Sequence, residues 1–311
     1  MGTATRRVDS VPVWYQRRVR IYDREAPLGY LLLVPTLGIL GIFLLYPFLF
    51  GMWLSVTDSE LGTLGKFIGL GNYRFEFRNT DGVFYGAVAN TFLYTGVTTV
   101  FKLGLGLVMA LLLNQVFPYR RFVRAALLLP YIIPTVLSYE AWRWMFDPTF
   151  SVMNWLLVHT HLVPYPGPDW LGVPANAMAA LIIVNIWRGA PFYGISFLAG
   201  MQVIPLDLYE AARVDGASRW QQFTSITLPM LRPILLVVLL LSTILTFADF
   251  QGPFVLTNGA PYNSTQLLAI WAYQWGIPGG AIGLGAAISL VLFPLLTVVV
   301  AGVLFLLRRP E

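Results

Sequence analysis

The chain contains no cysteine. Disulfides and thiolate metal sites are excluded, and the redox compartment stays undetermined. Charge is scarce as well: 11% of the 311 residues are Asp, Glu, Lys or Arg, against roughly a quarter in an ordinary soluble domain. Too few polar groups remain to cover a water-facing surface, whereas a lipid-facing one needs none. There are two lysines, Lys66 and Lys102, and neither lies in a Gly-x4-Gly-Lys-Ser/Thr phosphate loop, so no ATPase motif is present. The two histidines, His159 and His161, share one short loop. Two-ligand metal sites without further donors are rare, so a solvated loop is the better reading. No nucleophile, metal or acid–base set clusters in the sequence, which argues against an integral-membrane enzyme.

What the chain has instead is apolar length: 57% of it is hydrophobic. A helix needs about 20 apolar residues to cross the hydrocarbon core. Six segments qualify, running from about Leu28 to Val56, Val83 to Asn114, Phe122 to Phe146, Ala175 to Met201, Pro233 to Leu256 and Gly283 to Leu307. The stretch Thr257 to Ile282 is uncharged but rich in Gly, Pro and Asn, and reads as a loop, with a short membrane-lying helix over Thr265 to Trp275. The first segment is too long for a cleaved signal peptide and no small-residue cleavage site follows it, so it reads as a retained anchor. The expected class is all-α integral membrane, with residues 28–311 as the transmembrane domain.

The net charge of +5 would suggest nucleic acid in a soluble protein. Here the charges sit in loops between apolar runs, so lipid explains them and no nucleic-acid partner is expected. Arg6, Arg7, Arg17, Arg18, Arg20 and Arg24 precede the first span. Arg120, Arg121 and Arg124 follow the second, Arg213, Arg219 and Arg232 follow the fourth, and Arg308 and Arg309 follow the sixth. All fall on one side of a six-span chain. The other side carries Lys66, Arg74 and Arg78, balanced by Asp58, Glu60, Glu76 and Asp81. The positive-inside rule places both termini in the cytoplasm. The basic tail, residues 1–27, mixes aromatics with arginines from Val11 to Tyr22 and suits an interfacial helix.

One loop stands out. After the fourth span the chain reads Glu210-Ala211-Ala212, then Asp215-Gly216, and continues to Ile226-Thr227-Leu228-Pro229. Asp207 can cap a short helix beginning near Leu208. Gly216 permits a sharp turn, and a second helix runs from about Ser218 to Pro229, where proline stops it. An ordinary amphipathic connector is the plain alternative, but connectors are usually shorter and less patterned.

Residues 207–229 match Glu-Ala-Ala-x3-Gly-x9-Ile-x-Leu-Pro at every fixed position, a coincidence expected about once in 10⁸ starts from average residue frequencies. By this motif the chain resembles the permease subunits of ATP-binding-cassette importers, with the type I importer fold. The likeness runs from about Leu28 to the C-terminus. Arg124-Ala125-Ala126-Leu127-Leu128-Leu129-Pro130-Tyr131-Ile132-Ile133-Pro134, Asn185-Ile186-Trp187-Arg188-Gly189-Ala190-Pro191-Phe192 and Leu256-Thr257-Asn258-Gly259-Ala260-Pro261 resemble the sugar branch, the permeases related to the maltose and glycerol-phosphate importers. The resemblance implies import of a sugar or sugar-like solute, neutral or anionic, and a bacterial or archaeal inner-membrane location. It implies a second permease subunit in a heterodimer, two cytoplasmic ATPases that hold ATP and Mg, and an extracytoplasmic binding protein that delivers solute. The chain itself binds no cofactor on this reading. Glu210, Ala211, Ala212, Asp215, Gly216 and Pro229 would form the coupling element, with Glu210 pairing with a basic residue of the ATPase. Against the maltose permease the chain lacks extra N-terminal spans and a large periplasmic insertion, so the contacts of those parts are not carried over. A permease for a non-sugar solute is the alternative. An ion-coupled transporter fits less well, because no internal repeat is visible and only Glu140 and Asp249 offer carboxylates within spans.

Polar residues within spans usually face protein or water. Asn185, Gly189 and Phe192 are spaced i, i+4, i+7, as are Ser242, Thr246 and Asp249, so each set shares one helical face. The resemblance implies a solute cavity at both faces. Phe192 would stack on a sugar, Gly189 would admit its ring, and Ser242, Thr246 and Asp249 would bond its hydroxyls. The plain alternative is that small and hydroxyl residues pack helices together. Arg188 either meets an anionic group on the solute or pairs with Asp249 or Glu140, the pairing being the commoner fate of a buried charge. Glu140 and Arg143 are spaced for an i, i+3 pair, and Trp142 and Trp144 suit an interfacial belt. Lys102 is left to snorkel or to face a partner subunit.

Overall fold

A computed structural model of the chain describes residues 25–79 and 81–307. The basic tail and its expected interfacial helix lie largely outside the described residues, as do Arg308 and Arg309. The chain divides into two compact units between Trp53 and Leu54.

The first span is built from α1 (Glu25–Leu40), a π turn (Gly41–Leu45) and α2 (Tyr46–Ser55). The π turn ends two residues before Pro47. Proline has no N–H, and its ring crowds the carbonyl four residues back. Widening the preceding turn relieves that crowding: the Tyr46 N–H bonds to the Gly41 carbonyl, five residues back.

In the second unit, α3 (Gly71–Arg78) precedes the long second span α4 (Val83–Leu113). Arg124 turns back to donate to the Leu113 carbonyl at 3.0 Å, satisfying one of the orphan carbonyls at the end of α4. The third span differs from the single helix expected. It is α5 (Arg120–Ile132) followed by α6 (Thr135–Met145), bent by 92°. Ile133 precedes Pro134 and adopts ψ 133°, because proline disfavours helical geometry in the residue before it. Trp142 is buried against Phe146 and Trp187, while Trp144 is exposed.

After α7 (Val152–His159) the fourth span, α8 (Pro174–Val203), packs along α4. Small residues allow the approach. A Cβ placed on Gly106 would stand 2.3 Å from the Tyr193 Cβ, a contact only a bare backbone permits. The two helices feed three apolar clusters. Tyr94, Leu181 and Val184 meet Tyr139, Trp142 and Phe146. Leu113, Tyr193 and Phe197 meet Leu231 and Val238. Phe84 and Ala87 meet Leu268, Leu284 and Ile288.

The remaining elements are α9 (Leu206–Val214), α10 (Arg219–Gln222), a second π turn (Phe223–Thr227), α11 (Leu228–Phe247), α12 (Gln251–Leu256), α13 (Leu268–Gly276) and α14 (Ile282–Leu307). Pro229 does not stop the helix, as the sequence suggests it should. The π turn again ends two residues before the proline, and Leu228 N–H reaches back to Phe223 O. The fifth span therefore runs unbroken from Arg219 to Phe247. Its far end is shorter than expected: α11 closes at Phe247, and Asp249 lies in the break before α12.

Candidate functional site

The Glu-Ala-Ala loop is built as two capped helices. α9 begins after Pro205, which makes no side-chain cap. Asp207 therefore sits inside the first turn instead of capping it, where its negative charge favours the positive end of the helix. At the other end Gly216 takes φ +80°. Its N–H bonds to Arg213 O at 3.1 Å and Ala217 N–H bonds to Ala212 O at 2.9 Å, the two bonds of a Schellman motif. Ser218 then caps α10 in a reciprocal box with Gln221. The Tyr209 and Thr227 hydroxyls meet at 2.8 Å and tie α9 to the π turn. Glu210, Ala211, Asp215 and Gly216 are exposed, Ala212 is half-buried and Pro229 is exposed. Leu206, Val214 and Trp220 are 73%, 88% and 71% exposed around them.

The second site is a cavity of about 390 Å³. Asn185, Arg188, Gly189, Phe192, Ser242, Thr246 and Asp249 all line it, so both sets of span residues converge on one space. Asp249 arrives from the break beyond α11 and not from a continuous helical face. Sequence reasoning missed four polar lining groups: Tyr131, Thr135, Gln251 and above all Lys102.

Lys102 neither snorkels nor faces outward. It is 3% exposed, and its Nζ donates to Asn185 Oδ1 at 2.8 Å and to Thr246 Oγ1 at 2.9 Å. On the other side of Asn185, the amide Nδ2 donates to the Tyr94 hydroxyl at 2.6 Å and to Asp249 Oδ2 at 3.2 Å. Tyr94 in turn donates to Asp249 Oδ2 at 2.8 Å. A lysine and a carboxylate are thus joined through an amide and a phenol across three elements, the arrangement that a low-dielectric interior demands of charge. A lone lysine in an otherwise apolar span was the signal available in the sequence.

Two expectations change. Gly189 does not leave a gap for a solute ring: a Cβ there would stand 2.5 Å from Lys102 Cδ, so the glycine makes room for the lysine stem. One face of Phe192 is already occupied, its ring stacked on Tyr131 at 5.7 Å and 19°. Among the described residues Arg188 has no carboxylate within 4.0 Å, and Glu140 pairs with Arg143 instead, at 3.8 Å.

Comparison with known proteins agrees with this architecture. Residues 102–310 match the family described as the binding-protein-dependent transport system inner membrane component. The trehalose/maltose transport system permease protein MalF of Thermococcus litoralis is 36% identical over 88% of this chain and 90% of its own length. The sulfoquinovosyl glycerol transport system permease protein SmoG of Agrobacterium fabrum is 34% identical over 98% of both chains. Among solved structures, a chain of a bacterial ABC transporter that imports the acidic polysaccharide alginate superposes with a TM-score of 0.80, at 26% identity over 94% of this chain and 99% of that one. The alginate transporter has also been solved in complex with its alginate pentasaccharide-bound periplasmic protein.

Proposed function

The chain belongs to the family of binding-protein-dependent inner-membrane transport components, and on that premise we propose that it forms one half of the translocation path of a carbohydrate importer. Members of the family are transport components and not catalysts. The work of ATP hydrolysis, with its Mg, falls to two separate ATPase subunits on the cytoplasmic side. A second permease completes the cavity, and an extracytoplasmic protein delivers the solute. The two relatives above carry sugar solutes by name, which supports carbohydrate as the class.

The observation that carries the coupling role is the exposed, doubly capped Glu-Ala-Ala element. A rigid helix–turn–helix that spends its polar caps internally leaves Glu210 and the apolar Leu206 and Val214 for a partner. Tyr209 and the π turn link it without a flexible joint to the fifth span, whose far end reaches the cavity. Movement imposed on α9 by an ATPase would therefore reach Thr246 and Asp249. ATP binding would favour one facing of the cavity and hydrolysis would reset it, each acting only through its differential affinity for the two states.

The test is reconstitution of the complete transporter in liposomes. Glu210→Ala is expected to cut solute-stimulated ATP hydrolysis by about tenfold or more, the scale of a lost charge-assisted contact, while membrane insertion stays normal. Undiminished ATP-driven uptake in that variant would remove the coupling role. Uptake by the chain with no ATPase present would remove the importer reading.

A further inference from the structure

Arg188 is the cavity cation that the polar network does not use. Asn185, Arg188, Gly189 and Phe192 stand at i, i+3, i+4 and i+7 on α8 and present one face to the cavity. Lys102 spends its charge inside the protein. Its ammonium is held by Asn185 and Thr246, and the same Asn185 connects it to the Asp249 carboxylate. Those two opposite charges balance each other. Arg188 has no such counterpart. Its charge reaches Asp249 only through space, no carboxylate lies within 4.0 Å among the described residues, and its Nε is buried without a hydrogen-bond partner. Two cations and one anion line the cavity, so its lining is positive by one charge.

A buried guanidinium donor with no acceptor is costly. The Nε is itself covered by protein, but the half-buried side chain lines the cavity with its charge unpaired, and an anion in the cavity would supply the missing partner. Guanidinium presents its N–H groups in a planar fork that fits carboxylate, sulfonate or phosphate oxygens in pairs. We infer that Arg188 is a specificity-determining residue, and that the solute of this transporter is a saccharide bearing an acidic group, which the Arg188 fork receives while Asn185, Ser242 and Asp249 face the neutral hydroxyls. This rests on the carbohydrate-importer reading above and narrows it to acidic saccharides.

The experiment uses the purified complete transporter in nanodiscs without its binding protein, so that the cavity alone selects. Binding is measured calorimetrically for glucose, maltose and cellobiose, and for glucuronate, cellobiouronate and glucose 6-phosphate. The carboxylate and phosphate arms distinguish the two acid types. The wild type is expected to bind at least one acidic saccharide about tenfold tighter than its neutral counterpart, and less so at 0.5 M salt (about three times physiological ionic strength) as screening predicts. Arg188→Leu should erase that preference by weakening acidic binding about tenfold more than neutral binding, and Arg188→Lys should restore part of it. Equal wild-type affinity for neutral and acidic members overturns the inference and leaves the importer reading standing. So does an Arg188→Leu variant that loses both affinities in parallel, which would mark Arg188 as a structural or subunit-pairing residue. Binding of no saccharide of either kind overturns the carbohydrate reading together with the inference.

Discussion

At the scale of the residue, the Lys102 network decides what the cavity is. Lys102 and Asp249 are not paired directly, but both bond to Asn185, which links the two charges. Removing one end strands the other in a medium where an unpaired charge is expensive. Lys102→Met and Asp249→Asn are each expected to destabilise the protein by about 3 kcal/mol. The double variant should cost less than the sum by about 1–3 kcal/mol, since the pair then loses its charge together. Thermal unfolding of the four proteins in detergent checks this, and strictly additive losses would show that the two ends are not coupled. None of this was readable in advance. Lys102 stood out as a lysine in a span, but its partners lie 83 and 144 residues away in sequence, and no local pattern reports contacts at that separation.

At the scale of the element, α3 offers a titratable anchor outside the spans. Glu76 is 3% exposed. Trp271 Nε1–H of α13 donates to its Oε2 at 3.3 Å, and its Oε1 has no partner. Burial pushes the carboxyl above its ordinary range; the Trp271 hydrogen bond pulls it back in part, and nearby Asp81 adds to the rise. A raised carboxyl favours the protonated form in the folded state. Its contribution is therefore fully present below the ordinary carboxylate range and is lost as pH climbs through the raised value. Glu76→Gln should leave the melting temperature unchanged at pH 4 and raise it at pH 7.5, by roughly 2–4 °C for each kcal/mol recovered. A variant curve parallel to the wild type across that range would deny the titration. Among elements, those written in hydropathy were legible: the first, second, fourth and sixth spans begin and end within a few residues of expectation. The breaks were not. Residues 122–146 read as one apolar run, and hydropathy is blind to the turn that Pro134 forces at Ile133. Pro229 read as a stop, because composition does not reveal that a π turn will absorb the proline. Asp249 fell on the expected face by spacing, yet reaches the cavity only because α11 ends at Phe247.

At the scale of the whole molecule, the absence of cysteine becomes an experimental convenience. Tyr165 is exposed before α8 and Asp215 is exposed after it. If the arginine asymmetry orients the chain as expected, Tyr165→Cys should react with a membrane-impermeant maleimide in intact cells. Asp215→Cys should react only after permeabilisation. The reverse pattern would invert the topology and put the Glu-Ala-Ala element out of reach of any cytoplasmic ATPase. The coupling loop was legible in outline, since its two short helices and the turn at Gly216 are written locally, although Asp207 does not cap α9 and Pro229 does not stop the helix. The network at the cavity adds a mechanical consequence. It knots α4, α8 and the end of α11 together along the wall of the cavity. Sliding one of these helices past another would break several of these bonds together, which couples the positions of the three. The knot also draws in the third span: Tyr139 of α6 is buried against Tyr94, and Tyr131 and Thr135 on either side of the sharp elbow border the same cavity, so a change in the shape of that cavity is felt by all four helices at once.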